Sequence, residues 1–320
     1  MHNDGNPVID SRGLSKTYSK VTALDQLDLI VPRNSIFGFL GPNGAGKTTT
    51  IKLLLGLAKP SGGGARIFGL DITQESINIR KHIGYLPQNP RFYPYMTARQ
   101  TLNFVARFFY SGTSREIKQR VQETLDLMGL ADKADRPIKG FSGGELQRLG
   151  IAQAQVNQPA LLILDEPAAS LDPLGRRDVL DAMERLRHHS TIFYSTHILD
   201  DVQRISDAVA ILNRGKLVTQ APIQKLLADS GSLEFDIVLR GATSVAYERV
   251  IDQQWVQNIA VSTQGEQTFW QVKVTDTEAA EEKLLPLILV DRSVVVQSFM
   301  PQQPDLEETF LSIIGEGSND

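Results

Sequence analysis

The stretch that decides the fold is GPNGAGKT, residues 41–48. Gly41, Pro42, Asn43, Gly44, Ala45, Gly46, Lys47 and Thr48 fit the phosphate-loop pattern G-x-x-x-x-G-K-[ST] without exception. The context fits as well. IFGFL (36–40) reads as a strand before it, and TTTIKLLLGL (48–57) reads as a helix after it. Glycines let the backbone wrap close around phosphate oxygens, and the N–H groups of the loop and the helix start then point at the anion. Lys47 can reach the β- and γ-phosphates, and Thr48 can ligate Mg2+.

Upstream, residues 8–40 read as strands. Downstream, the helix stops at KPSGGG (59–64), a Pro/Gly/Ser loop, and ARIFGLDI (65–72) returns to strand. HIGYLPQ (82–88) is a short strand ending at a proline. From Thr97 to Val156 the pattern is helical. Thr97 is an N-cap, Leu102, Val105 and Phe109 share one face, as do Ile117, Val121 and Leu125, and Gly129 ends the second helix. A third helix starts at FSGGELQRLG (141–150). ALLILD (160–165) and STIFYST (190–196) are nearly continuous apolar or β-branched runs, as strands buried on both faces of a parallel sheet are. DAVAILNRGKLVTQ (207–220) is a hairpin turning at Asn213 to Gly215.

At residues 228–232, ADSGS reads as a linker. Beyond it come a strand, a helix, two strands around QGEQ (264–267), a helix and a strand, the β-α-β-β-α-β order of a ferredoxin-like domain, followed by a final helix at DLEETFLSII (305–314). Residues 1–7 read as a flexible tail.

The composition is that of an ordinary globular chain: 320 residues, 41% hydrophobic and 22% charged, with a formal net charge of −4. That balance gives no sign of a nucleic-acid or anionic-membrane binder. The absence of cysteine excludes disulfides, thiol catalysis and thiolate metal sites. No apolar run approaches the roughly 20 residues of a membrane helix. LLPLILV (284–290) is short and holds Pro286. Any membrane role is therefore expected to come through a partner chain.

Other residues carry chemistry by position. LLILDEP (161–167) ends a buried strand in two carboxylates: Asp165 fits a Mg2+-water ligand and Glu166 fits the base that polarises an attacking water. His197 closes another buried strand, at the carboxyl edge where open α/β sheets bind ligands. Such a place suits a γ-phosphate contact. His2, His82, His188 and His189 have no such placement. By spacing alone Gln88 is an ordinary loop glutamine, and Tyr18 is either a core aromatic or a flat face for adenine.

In order, the chain carries Tyr18, GPNGAGKTTT, Gln88, FSGGELQR, LLILDEP, SLDP (170–173) and His197. This set resembles the ATP-binding subunit of an ABC transporter over about residues 8–225. The resemblance implies an α/β P-loop NTPase of ABC type. It would have a mixed sheet core in residues 8–227 and a helical subdomain at about 97–156, with the ferredoxin-like α+β domain at 233–320. It implies ATP and Mg2+ as cofactors, Tyr18 on adenine, and Gly41 to Thr48 with Thr49 around the phosphates. Thr48, Gln88 and Asp165 would lie at the metal, with Lys47, Glu166 and His197 as the catalytic set. Ser170, Leu171 and Asp172 would form the D-loop.

FSGGE would correspond to the signature that holds the ATP of the other subunit in a head-to-tail dimer, through Ser142, Gly143, Gly144 and Glu145. Ser142 and the two glycines open a helix with free N–H donors and no lysine of their own. Phe141 stands where the family has Leu and Glu145 where it has Gln; the second change adds a negative charge near an anion. Residues 88–110 and the tail further resemble export-type systems. The partners implied are a second ATPase subunit, identical or paralogous, and a separate transmembrane permease. The place implied is the cytoplasmic face of the membrane. The competing reading is a soluble ABC-type ATPase acting on ribosomes or DNA.

Overall fold

The computed structural model describes residues 6–110, 112–229, 233–290 and 293–302. In chain order the elements are β1 (Ile9–Tyr18), β2 (Val21–Val31), β3 (Ile36–Leu40), α1 (Lys47–Leu54), β4 (Gly62–Ile67), β5 (Leu70–Asp71), α2 (Ser76–Arg80) and β6 (Ile83–Leu86). Then follow α3 (Ala98–Ala106), α4 (Ser114–Leu127), α5 (Gly143–Gln155), β7 (Leu161–Asp165), α6 (Pro173–Leu186), β8 (Thr191–Thr196), α7 (Leu199–Ile205), β9 (Ala208–Asn213), β10 (Lys216–Pro222) and α8 (Ile223–Asp229). The chain closes with β11 (Leu233–Gly241), α9 (Ser244–Ile251), β12 (Val256–Gln264), β13 (Gln267–Val274), α10 (Thr277–Leu289) and β14 (Val294–Gln302). The chain divides into two compact units after Ile223.

In the first unit the apolar runs form a six-stranded sheet in the order β10-β9-β3-β8-β7-β6. It is mixed: β6, β7, β8, β3 and β9 run parallel, and only the hairpin strand β10 is antiparallel. Every residue of β3, β7 and β8 is buried, which explains their unbroken apolar character. The register sets the chemistry. Leu40 lies opposite Thr196, and Asp165 opposite Ser195. The loops that follow β3, β7 and β8 therefore leave one edge of the sheet side by side. A second, antiparallel sheet has the order β2-β1-β4-β5.

Several local expectations need correction. KPSGGG is not wholly a loop, because Gly62 and Gly64 pair with Ser15 and Arg12 of β1. A Cβ at Gly63 would collide with the Gly13 carbonyl, so glycine there permits close strand approach. ARIFGLDI is not one strand. Phe68 (φ 55°) and Gly69 (φ 82°) turn the chain between β4 and β5. Phe109 does not share a helical face with Leu102, since α3 ends at Ala106 and Phe109 is exposed; Ala98, Thr101, Leu102 and Ala106 form the buried face. The expected linker is helical at residues 228 and 229, where α8 continues. The rest of that linker, the N-terminal residues 1–5 and the helix expected at 305–314 lie outside the described residues.

The caps follow the sequence. Thr97 and Thr113 cap α3 and α4, each in a reciprocal capping box. Ile117, Val121 and Leu125 are buried on α4, and Gly129, at φ 61°, follows its C-cap.

The second unit is an antiparallel sheet in the order β12-β13-β11-β14. With α9 and α10 this is the split βαβ arrangement. Its core includes Phe235, Ile237, Trp270, Val272, Ala246, Val250 and Leu284, all at most 1% exposed.

Candidate functional site

The phosphate loop connects β3 to α1. The Gly41 N–H donates to the Thr196 carbonyl at 3.2 Å, which pins the start of the loop to the neighbouring strand. Gly46 has φ 107°, and a Cβ there would come within 2.5 Å of the Ala23 carbonyl. Glycine is required at that position by both backbone and space. Gly46 caps α1 without any side-chain hydrogen bond, and no acid occupies the first turn. The first N–H groups of α1 thus remain available to an anion. Asn43, Gly44, Ala45, Gly46, Lys47, Thr48 and Thr49 line a cleft of about 390 Å³ together with Ala23, Gln88 and Glu166.

Lys47 is 6% exposed. Its Nζ donates to the Gly41 carbonyl at 2.6 Å and the Pro42 carbonyl at 3.2 Å, and lies 3.1 Å from Glu166 Oε1. The other Glu166 oxygen, Oε2, is 2.8 Å from His197 Nδ1. An ionised carboxylate only accepts, so this contact puts the proton on Nδ1. The Asp165 carboxylate meets the next residue of the loop: Oδ1 accepts from Thr48 Oγ1 at 3.3 Å and from Ser195 Oγ at 2.6 Å. Ser195 Oγ also accepts the Glu166 N–H at 3.0 Å, so one buried hydroxyl spans both acids.

The sequence-predicted loop residues, Asp165, Glu166 and His197 are thus brought together. Gln88 is exposed and lines the same cleft. Tyr18 is not among the residues that line it; the residue is 45% exposed, and Lys16 Nζ lies 4.8 Å from its ring centroid. Ser195 was missed because a serine within an apolar, β-branched run reads only as strand. Its two places before His197 are the signal that could have found it.

The donor set suits Mg2+. Thr48, Asp165 and Gln88 supply oxygens, the hard ligands this ion takes. Among the described residues no cluster of three or more His, Cys, Asp or Glu could hold a metal by itself.

Ser142 caps α5. The Glu145 N–H donates to Ser142 Oγ at 3.3 Å, and the Ser142 N–H donates to Glu145 Oε2 at 2.7 Å. The expectation that Ser142 offers a free N–H is therefore corrected: Glu145 takes it, which leaves the N–H groups of Gly143 and Gly144 as the open donors of the first turn. Glu145 does not project bare charge either. It is 7% exposed, and Oε1 accepts from Lys133 Nζ at 2.6 Å. Burial alone would raise its pKa. The Lys133 ammonium, the Ser142 N–H and the nearby Arg136 outweigh that and hold the carboxyl below the usual glutamate value. Gly144 packs on α6, where a Cβ would meet the Gly175 Cα at 2.9 Å. Behind the cap, Gln147 Nε2 donates to the Gln88 carbonyl at 3.3 Å, which ties α5 to the Gln88 loop. Ser170 has φ 60°, and Asp172 is the N-cap of α6.

Residues 24–169 match a family model described as ABC transporter. An uncharacterised ABC transporter ATP-binding protein of Bacillus subtilis, YxlF, is 34% identical, over 96% of this chain and 99% of that protein. The daunorubicin/doxorubicin resistance ATP-binding protein DrrA of Streptomyces peucetius is 33% identical, over 100% and 96%. The bacitracin transport ATP-binding protein BcrA of Bacillus licheniformis is 34% identical, over 97% and 98%. Among solved structures, cbiO1 of Clostridium perfringens, part of the cbiONQ transporter complex, superposes with a TM-score of 0.65 at 27% identity, over 70% of this chain and 92% of that one. The dimeric cassette MJ0796 superposes with a TM-score of 0.61 at 25% identity, over 67% and 98%.

Proposed function

This chain belongs to the ABC transporter family as an ATP-binding subunit, and from that premise we propose that it is the ATP-hydrolysing motor of an export system. It would close head to tail with a second ATPase subunit on two ATP molecules and drive a separate transmembrane permease from the cytoplasmic face. The observation that carries this reading is the convergence on one sheet edge of Lys47, Asp165, Glu166 and His197, with a second anion-ready helix start at Ser142. Relatives named for drug resistance and bacitracin transport support export over action on ribosomes or DNA.

In this reading the loop N–H groups and Lys47 bind the triphosphate, and Tyr18 offers a face to adenine. Thr48, Asp165 and Gln88 would hold Mg2+, which when bound neutralises charge on the β- and γ-oxygens. Glu166 takes the proton of a water whose oxygen bonds the γ-phosphorus. The bridging P–O bond breaks, and ADP leaves with its electrons. With the γ-phosphate bound, His197 would turn its Nδ1–H from Glu166 to a γ-oxygen, which frees Glu166 for the water. Ser142 and Gly143 of the other subunit hold it from across the interface, so closure depends on a group that hydrolysis removes.

The test is Glu166→Gln together with Ser142→Ala. Glu166→Gln should cut turnover roughly 100-fold or more, the scale of a lost general base, while preserving ATP-dependent dimers on size exclusion. Ser142→Ala should lower turnover without lowering nucleotide affinity at the chain's own loop. Wild-type turnover that is independent of protein concentration and of the Ser142 hydroxyl would refute the dimer mechanism.

A further inference from the structure

We propose that Lys133 is a positioning residue of this ATPase: by neutralising Glu145 it lets an acidic signature motif receive the phosphate of a second subunit's ATP. The proposal rests on the dimer reading above and deepens it.

The juxtaposition is specific. Lys133 ends a 3-10 turn, Ala131–Lys133, between α4 and α5. Its Nζ reaches one oxygen of Glu145 at 2.6 Å, while the other oxygen holds the Ser142 N–H at 2.7 Å. Glu145 is 7% exposed and Lys133 remains partly exposed. The cap needs an acceptor at Glu145, and a neutral amide would serve that need. A carboxylate serves it too, but it places a negative charge within one helical turn of the Gly143 and Gly144 N–H groups. An incoming phosphate would meet that charge at short range and in a partly dry setting, where screening is weak. An ammonium on the same carboxylate cancels it. Lys133 lies outside every motif that the sequence singles out, and its position 12 residues before Glu145 has no periodicity that would reveal the pair.

The relation is conditional, which makes it testable. Lys133 should matter only while residue 145 carries charge. The experiment uses the full chain with K133M, K133R, E145Q and the double variant K133M/E145Q. Turnover is followed against protein concentration, and binding of a fluorescent ATP analogue is measured at dilute protein, where the chain's own loop reports alone. K133M is expected to lower turnover about tenfold or more, the scale of a buried carboxylate that loses its partner. The protein concentration for half-maximal turnover should rise, while analogue affinity at dilute protein stays unchanged. K133R should retain most of the turnover, and in the E145Q background the K133M effect should shrink to under about twofold.

Equal losses in both backgrounds, or no loss in K133M, would overturn the proposal. Weakened binding of the analogue, or a loss of helical circular dichroism that E145Q does not restore, would make Lys133 a general structural residue and would overturn it as well. The outcomes separate from those of the dimer reading. If Ser142→Ala is impaired and K133M is not, only this inference falls; if Ser142→Ala is fully active, the underlying reading falls with it.

Discussion

Replacing Ser195 by alanine removes one oxygen and nothing else from the site. Ser195 is fully buried, so no solvent replaces that oxygen. Its Oγ donates to Asp165 Oδ1 at 2.6 Å and accepts the Glu166 N–H at 3.0 Å. The second bond has a reserve, because the same N–H also donates to the Ser195 carbonyl at 3.1 Å. The first has only the longer Thr48 contact at 3.3 Å. The dominant loss is therefore one hydrogen bond to a buried carboxylate, about 1.5–3 kcal/mol. For a cooperative unit of this size that shifts the melting temperature by roughly 3–10 °C. If the whole loss appears in the transition state, turnover falls about 10- to 100-fold.

Ser190 is the matched control. It is also buried and donates to the Pro159 carbonyl at 2.6 Å, but it lies just before the start of β8, at the opposite end from the site. Ser190→Ala should lower the melting temperature comparably and leave turnover per folded molecule near wild type. Steady-state phosphate release and thermal unfolding of both variants settle the matter. Equal turnover losses in the two variants, or wild-type turnover in Ser195→Ala, would show that the two acids are not held through Ser195.

Two further outcomes follow from the loop and the cap. Gly44 (φ 82°) has open space where a Cβ would stand, whereas Gly46 (φ 107°) faces the Ala23 carbonyl, so Gly44→Ala should cost about 1–2 kcal/mol of backbone strain and Gly46→Ala measurably more. Isothermal titration with ATP should rank them in that order, and the reverse order would refute the steric account. Glu145 titrates below its ordinary value of 4.5 in the folded chain, so its ionised form adds stability above that value and loses it as pH falls through the lower folded pKa. The unfolding free energy of wild type minus Glu145→Gln, from urea titrations, should be flat above the carboxylate range and shrink within it. A difference that grows on acidification would contradict the Lys133 pairing.

What the sequence revealed of the site depended on local rules. The loop was legible because positive φ at Gly44 and Gly46 favours glycine, and the Lys-Thr pair follows at fixed spacing. The edge shared by Asp165 and His197 was legible because continuous apolar runs imply a doubly covered parallel sheet, whose strand ends align. What escaped was non-local or used an atypical residue. The β4–β5 turn uses Phe68 at positive φ, where Asn or Gly is the usual signal. The Lys133–Glu145 pair joins a 3-10 turn to a helix cap, and Ser195 performs a site role inside a run that looks purely structural.

The adjacency of Asp165 and Glu166 raises a question that periodicity cannot answer. Successive residues of an extended strand point to opposite faces, so two neighbouring acids would ordinarily diverge. Here β7 ends at Asp165, and Glu166 takes a left-handed backbone with φ 51°. That conformation is uncommon for a residue with a side chain and costs on the order of 1 kcal/mol or more. It turns the chain so that Asp165 addresses Thr48 while Glu166 reaches Lys47 and His197. Two bonds to Ser195, one to its carbonyl and one to its hydroxyl, hold the Glu166 N–H in that turn. The two carboxylates are thereby given different partners despite sharing a peptide bond. One is placed against the Thr48 hydroxyl, proposed above for Mg2+, and the other against Lys47 and His197, proposed above for the γ-phosphate. The difference in partners between them is a property of one backbone angle and the strand beside it.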